Sequence, residues 1–213
     1  MDLSENGRVG TLQAGAVSVG SVSGNGATWP VPFVGGTTGT QISWGAASIP
    51  STFTICSITR YSGDSKQRIL QCRDSNWLHG HGQGSYAGAG VTYYVGGGNI
   101  YYTISPNTNW VVACGRNVQT AGSAGTIING VITSTATGGA GSCELIINTG
   151  PRFYEASDWQ LSKVYVWNTH LPDAVFADAS ARLNSYLQGA ATVRLLARSL
   201  SSVQPHTHLA RSS

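Results

Sequence analysis

"DWQLSKVYVWNTHLPDAVFADASARLNSYLQG", residues 158–189, carries two periodicities in succession. Residues 158–168 alternate as a strand does, so Lys163 and Tyr165 are predicted to share the face opposite Val164 and Val166. From Pro172 the period lengthens. Pro172 and Asp173 are helix-start signals, Val175, Phe176, Ala179, Leu183, Tyr186 and Leu187 form one stripe, and Gly189 is a stop. The segment predicts a strand followed by a short C-terminal helix over 173–188, laid on an end or edge of a β-structure.

Upstream of residue 172 the helical period is nearly absent. Short apolar runs bounded by Gly, Ser, Asn and Pro recur instead, giving about eleven candidate strands between residues 15 and 168 and no βαβ rhythm. That pattern predicts an all-β fold of two packed antiparallel sheets. With 213 residues, one sandwich over 1–189 and a basic, partly disordered tail over 190–213 are expected.

The composition narrows the function. Charged residues make up 10% of the chain and the formal net charge is +3, too weak and too concentrated near the C-terminus to indicate nucleic acid as a partner. The first residues, "MDLSENGRVG", lack the order of a signal peptide, and no apolar run approaches the ~18 residues of a membrane span. An extracellular or surface-associated location is favoured by the neutral, hydroxyl-rich character of the chain. Cys56, Cys72, Cys114 and Cys143 have no CxxC spacing. If "SGDSK" (62–66) is a tight turn, Ile58 faces Leu70 and Cys56 faces Cys72. A Cys56–Cys72 bridge is open in that register, but adjacent-strand disulfides are uncommon, so two buried thiols are expected.

Taken in order, "STFTICSITRY" (51–61), "NWVVACGRN" (109–117) with "GTIINGVIT" (125–133), and "SDWQLSKVYVWNTHLPDAVFADASARLNSYL" (157–187) resemble the laminin G-like or concanavalin A-like lectin/glucanase superfamily. The resemblance covers residues 40–188 and implies a jelly-roll β-sandwich. Within it, Asn129-Gly130 supplies the positive-φ turn of a two-residue hairpin, and Trp110, Val112 and Cys114 point one way. The superfamily includes lectins, adhesion modules and glycoside hydrolases, so residues must decide the function. Hydrolases of this architecture need paired carboxylates, and among nine acids no two stand at i and i+2; Glu155 and Asp158 are the nearest central pair. Catalysis is therefore not expected. The laminin G-like and pentraxin branches hold calcium at a rim. Asp64, Asp74, Asn76, Asn148, Glu155 and Asp158 could supply oxygens, which leaves weak calcium binding open and no other cofactor expected.

The segment "NWLHGHGQGSYAGAGVTYYV" (76–95) is read as a hairpin whose outer face is a binding rim. His79 and His81 project from one face, a spacing that zinc sites also use, but no third ligand stands nearby. Glycines at 80, 82, 84, 88 and 90 suggest a shallow trough, and Trp77, Tyr86 and Tyr94 offer apolar faces with polar tips. With Gln83 and Asn99 these residues form the expected ligand-binding set: Trp77, His79, His81, Gln83, Tyr86, Tyr94 and Asn99. The expected function is a non-catalytic, lectin-like or adhesion-type module binding glycan or a protein partner. The alternative is a structural or surface-assembly subunit that associates with copies of itself, and a glycoside hydrolase or lyase is third.

Overall fold

The computed structural model describes residues 9–82, 88–95, 100–117, 122–136, 139–148 and 154–189. In chain order the strands are β1 (Thr11–Ala14), β2 (Ser18–Gly24), β3 (Ala27–Gly36), β4 (Gln41–Ser43), β5 (Thr54–Tyr61), β6 (Leu70–Cys72), β7 (Leu78–His79) and β8 (His81–Gly82). They continue as β9 (Gly88–Ala89), β10 (Val91–Thr92), β11 (Ile100–Tyr101), β12 (Val111–Arg116), β13 (Thr126–Ile128), β14 (Val131–Ser134), β15 (Leu145–Ile147) and β16 (Trp159–Trp167), followed by helix α1 (Asp173–Leu187). A seven-stranded sheet, β14-β13-β12-β5-β16-β3-β2, packs on a five-stranded sheet, β1-β4-β15-β6-β7. Two short ribbons, β8-β9 and β10-β11, complete an all-β antiparallel sandwich.

The main core lies between the two sheets and includes Ile55, Tyr61, Val111, Ala113 and Trp159 from one, with Ile42, Leu70, Leu145 and Ile147 from the other. A second core fills the opposite face of the seven-stranded sheet, where Trp110, Val112, Cys114, Cys56 and Ile58 meet Phe176, Ala179, Leu183 and Tyr186 of α1. The helix stripe matches its sequence reading, but the helix lies on a sheet face rather than at an end or edge. A continuous apolar outer stripe on β5 and β12 requires that cover.

β16 shows how one extra residue sets two faces. Its register against β5 shifts between Leu161 and Lys163, a bulge at Ser162, so Leu161 and Val164 both reach the main core although they are three apart. Beyond the bulge Val164 and Val166 point inward while Tyr165 and Trp167 join the helix side, as alternation predicts. Asn129 and Gly130, at φ 47° and 82°, turn β13 into β14.

Two sequence expectations are corrected. β5 pairs with β12 and β16, whereas β6 pairs with β15 and β7 in the other sheet, so Cys56 and Cys72 never face each other. Apolar residues matching across a turn look alike whether strands are neighbours in one sheet or opposed across a sandwich. The cysteines are bonded as Cys56–Cys114, across β5 and β12, and Cys72–Cys143. The basic tail over 190–213 lies outside the described residues.

Candidate functional site

Trp77, His79 and His81 are fully buried and Tyr94 is 5% exposed, so the expected rim is turned inward. Gln83, Tyr86 and Asn99 lie outside the described residues. The shared face of the histidines is real, but it is the inner one. His79 lies beside both Trp77 and Tyr94, whose rings contact each other at 4.9 Å, with its ring plane tilted by 27° and 19° to theirs. Its Nε2–H donates to the Ala113 carbonyl at 3.1 Å, and its Nδ1 accepts from the Tyr94 hydroxyl at 2.7 Å, an arrangement that a neutral imidazole satisfies. His81 packs edge-on against Tyr61 and has Nδ1 3.4 Å from Thr59 Oγ1. Burial pushes both imidazoles down to about 3. Of the glycines expected to form a trough, Gly90 serves close packing, since a Cβ there would overlap the Tyr102 carbonyl, whereas a Cβ on Gly80 would meet ordinary contacts and one on Gly88 nothing within 4 Å.

Of the oxygen groups considered for calcium or catalysis, Asn76, Asn148, Glu155 and Asp158 are occupied in holding the fold. Asn148 donates to the carbonyls of Thr37, Thr40 and Ser157 and accepts from Ser157 N–H. Asp158 accepts from the N–H groups of Thr38 and Ser65. Glu155 pairs with Arg68, whose Nη2 also donates to Asn76. Asp64 and Asp74 are exposed turn residues. Among the described residues no three His, Cys, Asp or Glu side chains converge as metal ligands. A cleft of about 320 Å³ near the Cys72–Cys143 bridge is lined by small residues such as Ala46, Ala47, Gly141 and Ser142, with Asp74 and Glu144. Glu144 is held below the usual carboxylate range by Arg73 and Ser43, and no aromatic ring lines the cleft.

The outer face of the seven-stranded sheet is built differently. β3 pairs with β16 only through Val34–Gly36 and Leu161–Trp159, then leaves it. Its far end crosses to α1, where Trp29 Nε1 donates to the Tyr186 carbonyl at 2.5 Å, and the turn before β3 is tied to Trp110, whose N–H donates to the Asn25 carbonyl at 2.8 Å. Pro30 and Pro32 fall in the diverged stretch, where only the β2 side needs hydrogen bonds. The divergence leaves Lys163–Trp167 with no strand on that side among the described residues.

A continuous series of side chains therefore lines the outer face. Trp29 meets Tyr186 edge-on with centroids 4.9 Å apart, Lys163 Nζ lies 5.2 Å from the Tyr186 ring, and Tyr165 stacks beside Trp167 at 6.0 Å. Tyr186 is buried beneath; Trp29, Lys163, Tyr165 and Trp167 are half-buried, each with one side toward solvent. Burial lowers the Lys163 ammonium and raises the Tyr165 hydroxyl. Rings fixed along a strand offer flat apolar surfaces, and the open β16 edge offers backbone donors and acceptors beside them. Sequence reading missed this track because β3, with two prolines, did not read as a strand. Only the alternation in "KVYVW" marked Lys163 and Tyr165 as sharing an outward face.

The architecture is that of an all-β antiparallel sandwich. Domain 4 of AbnA, a GH43 extracellular arabinanase from Geobacillus stearothermophilus solved with arabinotriose, is similar at a TM-score of 0.57 and 10% identity, covering 80% of this chain and 87% of that one. The botulinum neurotoxin serotype G binding domain aligns at a TM-score of 0.49 and 13% identity, over 85% of this chain and 47% of that one. No protein-family model and no curated protein matches the sequence.

Proposed function

We propose that the chain is a non-catalytic recognition module of the concanavalin A-like type, its folded unit ending near Gly189, which binds glycan along the outer-face track. The observation that carries this reading is the half-exposed series Trp29, Lys163, Tyr165 and Trp167 beside an unpaired strand edge. Sugar rings stack on such faces at about 1 kcal/mol each, and hydroxyls take the backbone groups. The arabinotriose-bound domain of similar fold supports a saccharide ligand. The commitment of Glu144, Glu155, Asp158, Asp173 and Asp178 to arginines or backbone N–H groups supports binding without hydrolysis. Two disulfides fit an extracellular or surface setting. A glycan array tests the reading: the wild-type protein binds a defined saccharide class and Trp167→Ala loses it, while chromogenic polysaccharides stay uncleaved.

A second reading, self-association, is favoured by the sheet edges. β2 and β14 are the outer strands of the seven-stranded sheet, Val19 is 79% and Ile132 59% exposed, and neither strand carries a charge. Uncharged apolar edges are open to pairing with a second copy.

A further inference from the structure

We infer that the saccharide bound on this track is acidic, its carboxylate or sulfate held by Lys163 while its rings stack on Tyr165 and Trp167; this rests on the recognition reading above. Strand alternation puts Lys163 on the same face as the two rings, and the bulge at Ser162 turns that face outward, because without it residues 163, 165 and 167 would all fall on the core face of Leu161. On that face the ammonium has no carboxylate partner among the described residues. Asp173 is taken by Arg116 and Ser123, Asp178 by Arg182, Glu155 by Arg68 and Glu144 by Arg73.

Among the described residues the surroundings add no unpaired countercharge. Between Val9 and Thr59 the sequence contains no Asp, Glu, Lys or Arg, and that stretch supplies β2, β3 and nearly all of β5, the strands beside β16. The other cations of the outer face are engaged: Arg116 with Asp173, and Arg60 buried over the Trp110 ring. Burial lowers the Lys163 ammonium below its usual value. A half-buried ammonium resting on an aromatic ring, in a field without acids, recovers its lost hydration best by binding an anion. A neutral saccharide would stack as well but would leave that charge uncompensated.

Calorimetric titration distinguishes the possibilities with three probes: a galacturonic acid tetrasaccharide, the same tetrasaccharide with its carboxyls reduced, and a sulfated galactose oligosaccharide. Wild-type protein is expected to bind an acidic probe about tenfold more tightly than the reduced one, the worth of one charge-assisted hydrogen bond, with the difference shrinking as salt rises. Lys163→Met should erase that preference, so that acidic and reduced probes bind this variant alike, and leave the melting temperature within a few degrees of wild type. The preferred acidic probe identifies carboxylate or sulfate as the group held. If Lys163→Met keeps the preference, or the reduced probe binds as tightly as the acidic ones, the acidic assignment is wrong and the recognition reading survives. If Trp167→Ala changes none of the titrations, or no probe binds, the reading beneath it fails too.

Discussion

His79 and His81 stay neutral in the folded protein because burial pushes both imidazoles down to about 3. In the unfolded chain such rings titrate near 6.5, so between about pH 6.5 and 3 the unfolded state binds more protons than the native one. The stability these residues support is complete above pH 6.5 and is lost as pH falls through that window. Each ring contributes a slope that approaches about 1.4 kcal/mol per pH unit well below pH 6.5, so the pair should remove about 3 kcal/mol between pH 6.5 and 5. Urea denaturation across that range should show the decline, and His81→Gln should halve its slope; flat stability down to pH 4 would mean that the rings reach solvent. The sequence showed that the two histidines share a face. It could not show which face, because alternation is symmetric until the neighbouring strands are known.

At the scale of elements, the disulfides close loops spanning 58 and 71 residues, and loop-closure entropy assigns about 4 kcal/mol to each taken singly. Reduction, or Cys56→Ser with Cys114→Ser, should therefore lower the urea midpoint substantially; an unchanged midpoint would show that the bridge adds nothing. The exposed edge β2 gives a different expectation. If copies associate there, sedimentation should show a concentration-dependent oligomer that Val19→Lys dissociates without loss of folding, since a charge on an open edge blocks pairing. An oligomer untouched by that change would place the contact elsewhere. Strands with clear alternation or turn signals, β5, β12, β13, β14 and β16, were legible in the sequence, as was α1 from its stripe and stop. β1 and β3 were not: β1 is short and fully exposed, and the prolines of β3 are tolerated only because that strand departs from β16. The pairing of β5 was also hidden, because it depends on strands from residues 111 to 167 rather than on the adjacent turn.

Over the whole molecule, recognition is assigned to the outer face of the seven-stranded sheet rather than to the aromatic-rich 76–95 segment that dominates the sequence. Folding consumes Trp77 and Tyr94 in the core, whereas the hairpin β2-β3 and helix α1, distant in sequence, converge to frame Trp29, Lys163, Tyr165 and Trp167. The six tryptophans make this directly measurable by the indole N–H signals in a nuclear magnetic resonance titration with the saccharide selected on a glycan array. Trp167 and Trp29, half-exposed on the track, should shift together along one binding curve, while the buried Trp77, Trp110 and Trp159 hold still. Shifts confined to Trp77, with Trp167 and Trp29 unmoved at saturation, would contradict the account and return the site to the segment around His79 and His81.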